Sequence, residues 1–324
     1  MTRVIIGLCL LALFPYPAMA ACLNLTLAGV PGIATFQGSS GQYLVYDPTQ
    51  YLQTVNFRVQ GEATGATCEY FVTLSAGQSG DFRQRKLTRD VHVLNYNVYA
   101  DVEKSNILKA LPTASGNEII VGKFPLPSGV NLNQTSDHSF FWTIDPLQIV
   151  PASTASYQDT TLTLNLYSGL VLGINTLEDT KTVTFRTRAE SSVDLSLVDS
   201  GAPFDLGDTI QVIDFGTLET GAQRGFDIVI RSNDAYRVTM RSENLQRVVH
   251  SHAPAIGDAI DYTVIFNGGE VDLTSGTAVE LTSGTGTTPA TGLALPIELT
   301  VGNVSGQETA GTYSDVIIVE VTAN

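Results

Sequence analysis

Few residue types in this chain of 324 residues sit at spacings that could do chemistry. The four histidines, His92, His138, His250 and His252, are scattered. Only His250-Ser251-His252 brings two together, and no acidic residue joins them at metal-ligand spacing, so a solvated loop is expected there. The stretch "GQSGD" at 77–81 lacks the Gly-x-Ser-x-Gly frame that lifts a nucleophile out of a strand-to-helix turn, and it reads as a turn. No glycine-rich loop leads into a helix to cradle a phosphate. Trp142, beside Phe140 and Phe141, could stack on a sugar, but its place in an apolar strand makes the core its expected position. The chain is not expected to be an enzyme or to need a cofactor or metal.

Thiol chemistry is the exception. The first twenty residues, "MTRVIIGLCLLALFPYPAMA", place Arg3 before an apolar run and close on Ala18-Met19-Ala20. A basic start, an apolar core and a small-x-small end form a secretory signal peptide, too short to span a bilayer. Export predicts an oxidising compartment, where Cys22 and Cys68 would pair. Closing that loop contributes about 4 kcal/mol on the chain-entropy account. The rival reading takes "MAAC" at 19–22 as a lipoprotein site that acylates Cys22; Met19 suits it poorly, and Cys68 would be left as a free thiol. The net charge of −15 repels nucleic-acid phosphates, which excludes a nucleic-acid partner.

The elements that must position these residues are strands. Short runs rich in Val, Ile, Thr, Tyr and Phe recur between Gly, Ser, Asn and Pro clusters, and no helical period is sustained, so the class is all-β. The chain also repeats itself. "EYFVTLS" at 69–75 matches "AYRVTMR" at 235–241, and "NYNVYAD" at 95–101 matches "DYTVIFN" at 261–267 at the same interval. "ASYQD" at 155–159 matches "GTYSD" at 311–315 at a shorter interval, so the first copy holds extra residues between its fourth and sixth strands. The first copy reads as strands A 22–28, B 53–60, C 69–76, D 93–100, E 140–149, F 157–167 and G 181–188. The second reads A 192–198, B 225–232, C 235–242, D 260–267, E 293–301 and F 312–322, with no G. Two immunoglobulin-like β-sandwiches in tandem are expected, 21–190 and 191–324, the second lacking its last strand. Tyr157 and Tyr313, at the start of strand F, resemble a tyrosine corner, and Asp159 and Asp315 are expected to bond nearby backbone. In the first copy Leu162, Leu164 and Leu166 alternate one residue out of step with Ile317, Val319 and Val321, which a bulge near Asp159 would explain. The repeated "VDLTSGT" and "VELTSGT" at 271 and 279 read as a local hairpin.

An uncovered strand edge invites pairing with another chain. On the last strand Tyr313, Ile317, Val319 and Val321 form the face and edge that would accept a donated strand. An exported sandwich short of one strand looks like a chaperone–usher pilin, in which strand donation is a known mode of β-augmentation. The ending "AGTYSDVIIVEVTAN", with a cysteine near the mature N-terminus, resembles the spore coat protein U domain family, which includes subunits of archaic Csu-type pili. The resemblance implies a two-domain tip adhesin, with an adhesin domain followed by a pilin domain. Its partners would be a periplasmic pilus chaperone, an outer-membrane usher and an adjacent pilin, and it would support attachment and biofilm formation at the cell surface. A structural spore-coat or envelope protein of the same family is the alternative. Cys22 follows the leader so closely that no donor extension precedes the first strand, which also fits a fibre end.

In such a sandwich the BC, DE and FG connections share one end with Cys22, while strand G leaves at the other end towards the second domain. Two of these connections are apolar: 101–139 carries Ile119, Ile120, Val121, Phe124 and Leu126, and 169–180 carries Leu170, Val171, Leu172 and Ile174. Clustered exposed apolar side chains mark a contact site. The other reading packs "IIVGKF" as an extra strand on the core and lets Leu170–Leu172 extend strand F.

Overall fold

Strands form where β-branched and aromatic residues alternate with polar ones, because the pleat turns every second side chain to one face. Gln53–Thr64 is a clear case: Val55, Phe57 and Val59 are buried, while Asn56, Arg58 and Gln60 face water. The structure is a computed structural model that describes residues 21–126, 133–252 and 258–324. The expected signal peptide, 1–20, lies outside the described residues.

Among the described residues ten strands build the first half: β1 (Ala21–Ala28), β2 (Ile33–Thr35), β3 (Gln53–Thr64), β4 (Cys68–Leu74), β5 (Arg85–Arg89), β6 (His92–Tyr99), β7 (Ile120–Phe124), β8 (Gln134–Ile144), β9 (Tyr157–Gly169) and β10 (Asn175–Thr187). One layer runs β1-β3-β8-β6-β5 and the other β7-β4-β9-β10-β2, joined where Thr88 of β5 meets Gln158 of β9. All pairs are antiparallel except β2 with β10. Between the layers Trp142, Phe185, Tyr96 and Phe140 form an aromatic core, with the Trp142 and Phe185 rings 4.4 Å apart. The disulfide Cys22–Cys68 ties β1 to β4 across the layers. Of these strands β2 and β5 have no counterpart in the sequence reading, and β7 follows the reading that packs "IIVGKF" as an extra strand on the core.

The second half contains β11 (Val193–Asp199), β12 (Gln223–Ser232), β13 (Tyr236–Ser242), β14 (Arg247–His250), β15 (Ala259–Phe266), β16 (Gly269–Val271), β17 (Val279–Gly284), β18 (Leu293–Val301), β19 (Tyr313–Ser314) and β20 (Ile317–Ala323). One layer runs β11-β12-β18-β15-β14-β19, with β16 also on β15; the other holds only β17-β13-β20. The repeat at 271 and 279 is not a hairpin: β16 pairs with β15, whereas β17 crosses to β13 in the opposite layer.

Candidate functional site: an open strand edge and a distal apolar end

The start of strand F is set by the same device in both halves. Asp159, fully buried, accepts from the Tyr96 hydroxyl at 2.9 Å and from the backbone N–H groups of Gln78 and Thr161 at 3.2 and 3.0 Å. Asp315 accepts from the Tyr262 hydroxyl at 2.5 Å, the Ser242 hydroxyl at 2.6 Å and the backbone of Asn244 and Val316 at 3.0 and 2.7 Å. Burial and the neighbouring Asp315 hold the Tyr262 hydroxyl well above its ordinary pKa, so it stays a donor. Directly after each aspartate the strand breaks step. The β9–β10 register shifts between Asp159 and Leu162, which is the expected bulge. At Asp315 the strand divides outright into β19 and β20.

This division corrects the placement of Tyr313. It pairs with His250 in the larger layer, its ring lies edge-on to His250 at 5.1 Å, and its hydroxyl donates to the Thr309 carbonyl at 2.8 Å. It is therefore not on the acceptor edge. Tyr157 caps the other corner, donating to the Pro151 carbonyl at 2.8 Å beneath the Arg89 guanidinium.

The two smaller layers match strand for strand until the edge. β7-β4-β9 is continued by β10 and β2, whereas β17-β13-β20 has nothing beyond β20 among the described residues. Burial follows. Leu162, Leu164 and Leu166 on β9 are 0% exposed; Ile317, Val319 and Val321, which face the second core, are only half-buried. The far side of the gap is equally bare. Ala34 and Phe36 are covered beside β10, but the similarly spaced Ile213 and Phe215 are half-buried, and Ile210 and Val212 are exposed. The segment carrying them is moored to β11, whose Leu197 N–H donates to the Asp208 carbonyl at 2.7 Å.

Strand registers place the other candidate residues at the opposite end of the first sandwich. Ala21 pairs with Thr64, Cys68 with Phe124, and Gly169 with Asn175, so these strand ends gather beside Cys22. Ile119, Ile120 and Phe124 do not belong to an exposed loop: they are buried, because "IIVGKF" forms β7 on the edge of β4. Ile119 instead packs with Ala114 and Leu111 over Phe71 and Tyr167, where the extra residues of the first copy cover the outer face of the layer. Val171 is half-buried against the same patch. Val121 is exposed on the outer face of β7, and Leu126, Leu170, Leu172 and Ile174 are exposed, Leu172 at 96%. The turn 170–174 is closed by the Leu170 N–H, which donates to the Ile174 carbonyl, and Gly169, at φ +98°, takes a conformation that a side chain would block against the same carbonyl. Leu23 and Leu177 are also exposed near this end. Leu23 escaped notice because it lies in an alternating strand that reads as core, and Leu177 because it stands apart from the apolar run 170–174 in the same connection.

Among the described residues no group of His, Cys, Asp or Glu is arranged to hold a metal. His250 packs on Tyr313, and Trp142 is core.

No protein-family model matches the chain, and no curated protein matches it. Several solved structures are similar at low identity. The CsuC–CsuE chaperone–tip adhesion subunit pre-assembly complex from archaic chaperone-usher Csu pili of Acinetobacter baumannii shares 14% identity at a TM-score of 0.43, covering 93% of this chain and 99% of that chain. The CupB6 tip adhesin from Pseudomonas aeruginosa shares 11% at 0.39, over 93% and 94%. CfaE, the adhesive subunit of the CFA/I fimbria of enterotoxigenic Escherichia coli, shares 11% at 0.32, over 92% and 81%.

Proposed function

We propose that this protein is the tip adhesin of a chaperone–usher pilus, exported through the periplasm and displayed on the cell surface. The observation that carries the proposal is the uncovered edge of β20 beside a half-open core. A strand laid there, first by a periplasmic chaperone and then by the next pilin subunit at the outer-membrane usher, would finish burying Ile317, Val319, Val321, Ile213 and Phe215. Each is already half-covered, so completing them supplies on the order of 4–7 kcal/mol. Domains are stable by about 5–15 kcal/mol in total, so the second sandwich depends on that strand.

The distal end supplies the adhesive surface. Leu126, Leu170, Leu172 and Ile174 project there, away from the second sandwich, and attachment to apolar surfaces would support biofilm growth. Polar substitution of Leu170, Leu172 and Ile174 abolishes attachment while fibres still form; unchanged attachment refutes this assignment.

Co-expression with a pilus chaperone tests the whole reading. The protein accumulates as a stoichiometric complex when the chaperone is present and is degraded or aggregated without it. A monomer that folds cooperatively with nothing bound along β20 overturns the proposal.

A further inference from the structure

We infer that the strand completing the C-terminal sandwich is a basic one, with Lys or Arg on its outward face and an aromatic side chain turned inward over Tyr262 and Leu299. The inference rests on the open-edge reading above and deepens it by specifying the partner's chemistry. It is drawn from the molecule itself, because the first sandwich keeps a strand that has no counterpart among the described residues of the second.

In the first sandwich that strand is β10. Its inward residues Val183, Phe185 and Thr187 are buried, and the chain alongside them carries Lys181, Arg186 and Arg188. Phe185 is the key inward residue, its ring 4.4 Å from Trp142, 5.6 Å from Tyr96 and 6.2 Å from Phe140. Register carries that pocket across to the second sandwich. Tyr96 pairs with Ile144 and Val98 with Trp142, just as Tyr262 pairs with Val301 and Val264 with Leu299. Leu299 thus stands where Trp142 does, and Ile297 where Phe140 does. Phe226 occupies the place of Val55 and returns part of the volume. Phe266, at the position of Ala100, returns more, so the number of rings is even, but the two side chains on which Phe185 lies, Trp142 and Phe140, are replaced by the smaller Leu299 and Ile297. A small inward residue would leave a void there, and an aromatic one fills it.

Charge points the same way. Residues 21–190 hold 14 acidic and 11 basic side chains, but residues 191–324 hold 18 acidic and 5 basic. All four ion pairs among the described residues lie in the first sandwich. The segment 191–223, whose Ile213 and Phe215 pack half-buried on the second core, contains six acidic residues and no basic one. Asp205, Asp208 and Asp214 lie exposed along it; Glu320 on β20 is flanked across β13 by Arg237 and Arg241, so the acidic surplus belongs to the 191–223 side. Arg231 does not neutralise them, because its guanidinium is stacked over Phe204 at 4.3 Å near the junction with the first sandwich. An apolar slot with an acidic rim favours a basic strand and speeds its encounter.

Synthetic peptides test this against the full-length protein released from its chaperone complex. The probe is the β10 segment 180–189, compared with its Phe185→Ala form, a form with Lys181, Arg186 and Arg188 replaced by Glu, and an uncharged strand of alternating Val and Thr. At about 20 mM salt the native peptide raises the melting temperature of the second sandwich and binds about tenfold or more tightly than either the alanine or the glutamate form. At about 300 mM salt the gap to the glutamate form narrows and the gap to the alanine form does not. Replacing Asp208 and Asp214 by Asn in the protein also reduces the charge preference, which assigns it to this rim. If the glutamate or the alanine form binds as tightly as the native peptide, the inference is overturned while the open edge stands. Should no peptide bind, the uncharged strand included, and the protein melt as one cooperative monomer, the open-edge reading itself fails.

Discussion

In each sandwich a glycine faces a tyrosine across a strand pair, Gly122 opposite Tyr70 and Gly284 opposite Tyr236. A Cβ at either glycine would fall within the tyrosine ring, so the aromatic side chain lies over bare backbone and supplies the packing that the glycine lacks. Valine ordinarily favours strands, yet here Gly122→Val or Gly284→Val costs about 1–3 kcal/mol by overpacking. Chemical denaturation of each variant reads this, and a neutral result refutes the pairing. His138 offers a pH-dependent prediction. Its ring stacks on Phe57 at 5.6 Å and meets the Tyr70 hydroxyl at 2.9 Å, and burial holds its pKa below the ordinary value against the opposing pull of Asp137. The unfolded chain therefore takes up this proton at about pH 6.5 while the folded one resists it, so stability falls as pH drops through that value and levels off below the folded pKa. The melting point of the first sandwich declines between about pH 7 and 5, and in His138→Phe it declines less. The lowered carboxylates, such as Asp101 and Glu118, act in a separate window below about pH 4.5.

At the scale of elements, the disulfide and the open edge make the two sandwiches unequal. Replacing Cys22 and Cys68 by Ser removes a bridge across 46 residues and costs the first sandwich about 2–4 kcal/mol. Calorimetry shows the first transition falling and the second unmoved; a fall in both would mean that the sandwiches unfold as one unit. The seven principal strands of the first copy and the six of the second were legible because their alternation is strong and the copies repeat. The short strands were not. β2 has three residues and is held by pairing with β10 far along the chain, which no local pattern records. β7 stays open between a loop and an extra strand, since its glycine, its lysine and the proline after it mask an alternation whose partner is β4. For the same reason the exposed apolar residues at the distal end were only half legible. Composition marks a residue as apolar, but burial depends on which strand passes beside it, so Ile120 and Phe124 went to the core and Leu172 to water. Tyr313 misled differently: its spacing from Ile317 fits one strand, but Asp315 breaks that strand and sends the tyrosine to the other layer.

At the scale of the molecule, the distal end and the open edge belong to different sandwiches, and any load between them passes through one joint. Asn233, fully buried in the turn between β12 and β13, organises it. Its side-chain amide donates to the carbonyls of Glu190 at 2.8 Å and Val150 at 3.3 Å, its side-chain oxygen accepts from Ser192 N–H at 2.8 Å, and its backbone carbonyl accepts from Ala152 N–H at 2.8 Å. One residue thus binds the 150–152 loop and the linker to the second sandwich. Tyr46 adds a contact to Thr288 at 3.3 Å, with Arg231 over its ring. Asn233→Ala strands two buried carbonyls and an N–H, at a cost of about 2–4 kcal/mol, and the loss falls on the joint and not on either core. Small-angle scattering of the variant shows a wider distribution of interdomain distances, and the two thermal transitions move apart while each sandwich keeps its fold. Unchanged scattering and melting would assign the stiffness of the joint to the Tyr46, Thr288 and Arg231 contacts, and Thr288→Val with Tyr46→Phe would then be the variant that loosens it.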